Sequence, residues 1–164
     1  MAITAGTDTY ITLAAADTYI ATMPGTYAAV WAALATDAIK EKFLKRAARY
    51  LDTHYLGRWV GSIMTTTQVM SFPRYGTDNE GRVIDSSYPT NLKYAQCEVA
   101  ARMANSEELN TDLSRGGEIV REKIGPIETE YENTAPIGTV YQEVEALLKL
   151  LLVQRGSTSR LLRV

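Results

Sequence analysis

Apolar residues recur at every third or fourth position along two stretches of the chain, and the stretch between them keeps no period. In the first, Ile39, Phe43, Ala47, Tyr50 and Leu51 fall on one helical face, and Lys42, Lys45, Arg46 and Arg49 on the other. Thr36-Asp37 stands at its start as a cap, and the helix is predicted to run to about residue 55, before Gly57. The second opens at Pro89, a residue tolerated in a first helical turn. Leu92, Ala95, Val99 and Met103 line its core face, and Tyr94, Cys97, Ala101 and Ala104 make a second face of mostly smaller residues. Two apolar faces imply a helix buried all round, or one packed between its own core and a neighbouring subunit.

The remaining segments carry shorter signals. Residues 1–12 are Thr-rich and β-prone, which suggests an arm or edge segment. A short helix is predicted over Leu13 to Thr22, ended by Met23-Pro24-Gly25. AAVWAALA, residues 28–35, is too short to assign by period. Residues 57–88 read as loop, punctuated by Gly57, Gly61, Pro73, Gly76 and Gly81. Within them, Trp59, Phe72 and Pro73 are expected to be structural. Phe72 is read as a plug between the 37–55 and 89–105 helices, and Arg74 as free to pair with an acidic group.

After Gly116 the period drops to two. Arg121 and Lys123 alternate with apolar and acidic neighbours, and beyond Gly125-Pro126 so do Glu128 and Glu130. If the two arms pair, opposite charges face each other across the hairpin. Thr139-x-x-Gln142 matches a capping box. A last helix is expected to follow, with Val140, Val144, Leu147, Leu148 and Leu151 on one face, and then a tail after Gly156. The expected fold class is mainly α: a small bundle of about four helices, an extended hairpin-like segment around 118–131, and a flexible C-terminal tail. The expected organisation is a single domain, 1–164, with an arm at 1–12, a helical core at 13–152 that includes the extended 116–132 segment, and a tail at 153–164.

Composition narrows the function classes. The 164 residues are 46% hydrophobic and 22% charged with a net charge of −2, so no global basic field calls for nucleic acid. The single cysteine, Cys97, excludes an intramolecular disulfide and a Cys-based zinc site. No signal peptide and no membrane-spanning run is expected, so no membrane partner is expected. His54 is the only histidine, which excludes His-pair metal sites. A Cys97–His54 dyad is conceivable by residue type. However, a thiol among helical alanines packs as a small hydrophobe, and an imidazole at a helix end is held positive by the dipole. No phosphate-cradling glycine motif is present. The chain is therefore read as a non-enzyme without a cofactor. The stripe Lys42, Lys45, Arg46 and Arg49, with Tyr50, Tyr55, Arg58 and Trp59 nearby, is a candidate DNA contact, because basic and aromatic residues interleave there. The competing reading is a solvated helix face over core aromatics.

An ordered set of motifs adds a resemblance. It comprises RAARYLD (46–52), GRWVG (57–61), Q-x-x-x-FPR-x-G (68–76), P-x-x-L-K-x-A-Q-C-E-x-A (89–100) and L-x-R-GG-x-I-x-R-E-K-I-GPIE-x-E-Y (113–131). The set resembles small tailed-phage head–tail connector or adaptor proteins, a family also called DnaT-like single-stranded-DNA-binding, with Phe72 where that family usually shows tryptophan. The resemblance implies a helical-bundle virion protein in the neck, assembled in the host cytoplasm. It would form a homo-oligomeric ring, typically dodecameric, under the portal protein, with genomic DNA passing through its channel toward a stopper or tail-tube protein. Portal binding would fall to the tail, through Arg155, Arg160, Leu161, Leu162 and Arg163. Contact with the next subunit or ring would fall to Arg121, Lys123, Ile124, Ile127, Glu128 and Glu130. The alternative is a single-stranded-DNA-binding accessory protein of phage replication.

Overall fold

The computed structural model describes residues 3–84, 88–107, 109, 121–124, 127–130 and 141–153, with the 121–124 and 127–130 segments described by their backbone. Helix α4, Thr90–Ala104, is the axis of the fold. Leu92, Ala95, Cys97, Val99, Ala100 and Ala101 are all fully buried, so most of both apolar faces is covered within this chain, while Tyr94 on the second face stays exposed. Small residues let its neighbours approach closely on every side. α1 (Leu13–Ile20), α2 (Tyr27–Ala32), α3 (Asp37–His54) and α5 (Gln142–Leu148) all pack against it. Five helices thus stand among the described residues where about four were expected, because the Trp31 patch folds as α2 with Trp31 buried.

α1 begins where its pattern predicts, with the Thr12 hydroxyl accepting from the Ala15 amide. α3 also keeps its predicted bounds, burying Leu44, Ala47, Ala48, Tyr50 and Leu51, although Thr36 caps it without a side-chain hydrogen bond. α5 departs from expectation. Its N-cap is Tyr141, in extended conformation and without a side-chain cap bond, and Thr139 of the expected capping box lies outside the described residues. Val144, Leu148 and Leu151 are buried as predicted.

The expected N-terminal arm is part of the core. Thr9, Tyr10 and Ile11 are buried. Tyr10 donates its amide to Gln96 Oε1 at 2.9 Å, Gln96 Nε2 donates to the Leu44 carbonyl at 2.9 Å, and the Tyr10 hydroxyl donates to Asp52. One buried glutamine therefore ties the arm and α3 to α4. Before Tyr10 the chain makes a tight turn, in which the Thr7 and Asp8 amides donate to the Thr4 carbonyl and the Gly6 amide to the Thr9 carbonyl.

The segment read as loop contains a three-stranded antiparallel sheet in the order β1 (Ser62–Ile63), β2 (Arg74–Thr77), β3 (Val83–Ile84). Ser62 pairs with Tyr75 and Gly76 with Ile84. The end of α5 is stitched onto this region. The Val60 amide donates to the Leu151 carbonyl at 3.0 Å, and Asn79 Nδ2 donates to the carbonyls of Lys149 and Leu152. Farther along, β4 (Arg121–Ile124) and β5 (Ile127–Glu130) pair antiparallel, with Arg121 opposite Glu130 and Lys123 opposite Glu128, the register that opposite charges predict.

Candidate nucleic-acid interface

α3 presents the basic stripe as its period requires. Positions 42, 45, 46 and 49 lie within one sector of about 100° along ~10 Å of helix axis. Lys42, Arg46 and Arg49 are exposed, and no ion pair is formed by any of them among the described residues. Lys45 differs: its Nζ lies 3.4 Å from Asp8 Oδ1, so part of its charge is spent holding the N-terminal turn against α3. Lys45 and Arg49 also line a cleft of about 310 Å³ shared with Thr7, Asp8, Asp52 and Val69.

The aromatics expected beside this stripe are not available to a ligand. Tyr50, Tyr55 and Trp59 are buried. Trp59 stands edge-on to Tyr55 at 5.6 Å and to Phe72 at 5.2 Å, and burial pushes the Tyr50 phenol up to about 12. Arg58 turns away, its guanidinium 5.2 Å from the Tyr55 ring and Nη1 3.5 Å from Glu145. A helix that sends cations to water sends the residues between them inward, so sequence proximity to the stripe does not place these rings on its surface.

Of the three residues read as structural, Trp59 and Phe72 are buried and Pro73 is partly buried. Phe72 seats edge-on between Trp59 and Tyr10, the latter ring at 6.2 Å, rather than as a plug between α3 and α4 alone. Arg74 is not free. Nε donates to the Val60 carbonyl at 2.8 Å, Nη2 to Gly61 at 2.7 Å and Nη1 to Ser71 at 3.3 Å. Gln68 accepts from the amides of Met64 and Thr65 and donates to the carbonyls of Met70 and Pro73. The Q-x-x-x-FPR motif is a self-contained loop scaffold.

Cys97 and His54 form no dyad in this arrangement. Cys97 is fully buried, and burial pushes its thiol up to about 12, far from a thiolate. His54 stacks on Tyr50 at 5.0 Å, and desolvation lowers its pKa. Residues 155 and 160–163 of the expected portal-binding tail lie outside the described residues, and at 121–130 only the backbone register of the expected contact residues is described.

A second feature escaped the sequence pattern. α1, the start of α4 and the N-terminal turn enclose a cleft of about 650 Å³ lined by Tyr10, Tyr19, Tyr88 and Tyr94, by threonines and by Lys93, with no carboxylate among its described lining residues. Tyr19 and Tyr94 stack face to face at 4.3 Å and 15°. They are 75 positions apart, and no local period links them.

Over residues 2–164 the chain matches the family described as "Putative DnaT-like ssDNA binding protein". The chain belongs to this family. No curated protein and no solved structure matches it. Membership in the DnaT-like family corrects the connector reading. The matched family is described by DNA binding, and no match points to a virion neck, a portal or tail partner, or a dodecameric ring. Two of the motifs that suggested an assembly subunit pack within this chain: GRWVG buries Trp59 and Val60 against Leu151 and Leu152, just after α5, and FPR closes its own loop. Among the described residues of this DnaT-like chain, no helix is long and apolar enough to cross a membrane.

Proposed function

We propose that this DnaT-like chain is a single-stranded-DNA-binding accessory protein of replication, one that holds the sugar–phosphate backbone and performs no chemistry of its own. The observation that carries this reading is the trio Lys42, Arg46 and Arg49: three exposed cations in one sector of α3 without acidic partners among the described residues. A cation paired with a carboxylate is neutralised by it, whereas unpaired cations in a row attract a polyanion and release its counterions. The net charge of −2 is compatible with this, because the attraction is local to one helix face. Sequence selectivity forms no part of the reading, since cations on phosphate position a strand without reading its bases.

The test is fluorescence anisotropy of a labelled single-stranded oligonucleotide across a salt series. Wild-type protein should bind at low salt, with log K falling linearly with log salt. Replacing Lys42, Arg46 and Arg49 together by alanine should flatten that slope by about 2, since each single-strand phosphate contact contributes ~0.7. Absence of binding at low salt, or an unchanged slope in the triple variant, refutes the reading.

A further inference from the structure

We infer that the tyrosine cleft between α1 and the start of α4 is a nucleobase-stacking site for single-stranded DNA, with Tyr94 as its platform. This rests on the proposed DNA-binding function and assigns the bases a place that the α3 stripe does not provide. Tyr94 is 36% exposed, and one face of its ring lies on Tyr19 at 4.3 Å. Tyr19 is itself anchored, its hydroxyl donating to Glu98 Oε1 of α4 at 3.1 Å. The platform is therefore a pre-stacked pair on a buried tie, and a base that adds to it orders little further protein.

The lining suits a base next to a phosphate. Tyr88 supplies another ring, Thr18 and Thr22 supply hydroxyl oxygens that can accept from a base edge while donating to the Ala14 and Tyr19 carbonyls, and Lys93 is the one charged residue among the described lining residues. With a cation present and no carboxylate among the described lining residues, the cleft complements an anionic strand. Its volume of about 650 Å³ exceeds what a single planar base needs and leaves room for its sugar. The approach route is also formed. The turn at residues 4–9 has Ala5 in the tyrosine cleft, while Thr7 and Asp8 line the other cleft with Lys45 and Arg49. A strand held by its phosphates on α3 has only this turn to cross. The turn hugs the cleft closely: a Cβ added at Gly6 would meet the Tyr88 hydroxyl at 2.5 Å.

Stacking and phosphate contact separate experimentally, because every base has a π-face, whereas only phosphates release counterions. The probes are a labelled oligo(dT) and an abasic oligonucleotide of equal length, titrated against full-length wild type, Tyr94→Ala and Tyr94→Phe. Circular dichroism verifies that each variant is folded. Tyr94→Ala should weaken oligo(dT) binding about tenfold with the salt slope unchanged, and Tyr94→Phe should bind like wild type. The abasic strand should bind wild type about tenfold more weakly than oligo(dT), which needs no variant. If oligo(dT) binds with a slope that depends on α3 but is indifferent to Tyr94→Ala, or if the abasic strand binds as well as oligo(dT), the stacking site is refuted and the α3 reading stands. If wild type binds neither strand at low salt, both fall together.

Discussion

Arg74 shows how a residue that looks poised for a partner is consumed by its own loop. Its guanidinium donates to three backbone carbonyls, of Val60, Ser71 and Gly61, in a fork that only a planar, five-donor group can span. Desolvation lowers its pKa, so the charge is carried at some cost and retained because each bond is charge-assisted. Lysine keeps the charge but not the fork. Arg74→Lys should therefore lose at least one of these bonds and cost roughly 1.5–3 kcal/mol, read as a lower urea midpoint at unchanged slope. The sequence shows Arg74 beside Phe72-Pro73 but cannot show its acceptors, because backbone carbonyls are the same at every residue. The basic stripe was legible for the opposite reason: Lys42, Arg46 and Arg49 sit in solvent, where residue type and helical period are sufficient to place them. Tyr94 was legible as part of a helix face. Its partner Tyr19 was not, because the stack exists only once α1 is laid against α4.

Legibility of the elements follows their length. α3 and α4 repeat their pattern over 18 and 15 residues, enough turns for the apolar positions to define a face. β1 and β3 have two residues each, shorter than one full alternation, so nothing in their composition separates them from loop. Their pairing is set by geometry around two glycines. Gly61 has φ +70, and a Cβ there would lie 2.1 Å from the Tyr75 carbonyl oxygen. Gly76, at φ +134, would bring a Cβ to 3.0 Å from Gly61 Cα. The two backbones cross where neither can carry a side chain. Gly57, at φ +76, faces open space and is a matched control. Gly57→Ala should cost only its left-handed conformation, about 1 kcal/mol. Gly61→Ala adds a clash with backbone that cannot swing aside, and should cost clearly more while displacing β1 from β2. Thermal unfolding ranks the two variants. Hydrogen exchange should show protection reduced at the Met64 amide, which is shared between the Pro73 carbonyl and Gln68 Oε1, with the α4 amides still protected.

At the scale of the whole molecule, the helices are joined by a charged cluster at the end of α4 as well as by apolar packing. Arg102 lies 3.6 Å from Glu98, 3.5 Å from Glu107 and 3.5 Å from Glu143 of α5, and its guanidinium stands over the rings of Tyr27 of α2 and Tyr141. Glu98 is 4% exposed, and burial, helped by the nearby Glu143, raises its pKa; the Tyr19 hydroxyl and Arg102 oppose that rise. A carboxyl whose pKa is raised by folding favours the native state fully below its unfolded value of ~4.3, and that contribution is lost as pH climbs through the native value. Arg102→Met keeps much of the stem's packing and removes the cation. The native pKa of Glu98 should then rise further, so the variant loses more stability than wild type over the climb to neutral pH. The stability gap between the two proteins should be smallest near pH 4, where Glu98 is protonated, and widest near pH 7, where an unpaired buried carboxylate costs on the order of 3 kcal/mol. Urea unfolding at several pH values measures the gap. A gap independent of pH would show that Arg102 acts through its stacking on Tyr27 and Tyr141 alone. The same Glu98 anchors Tyr19, so Arg102→Met should also perturb the Tyr19–Tyr94 stack and weaken oligo(dT) binding, whereas the salt slope set on α3 should not move.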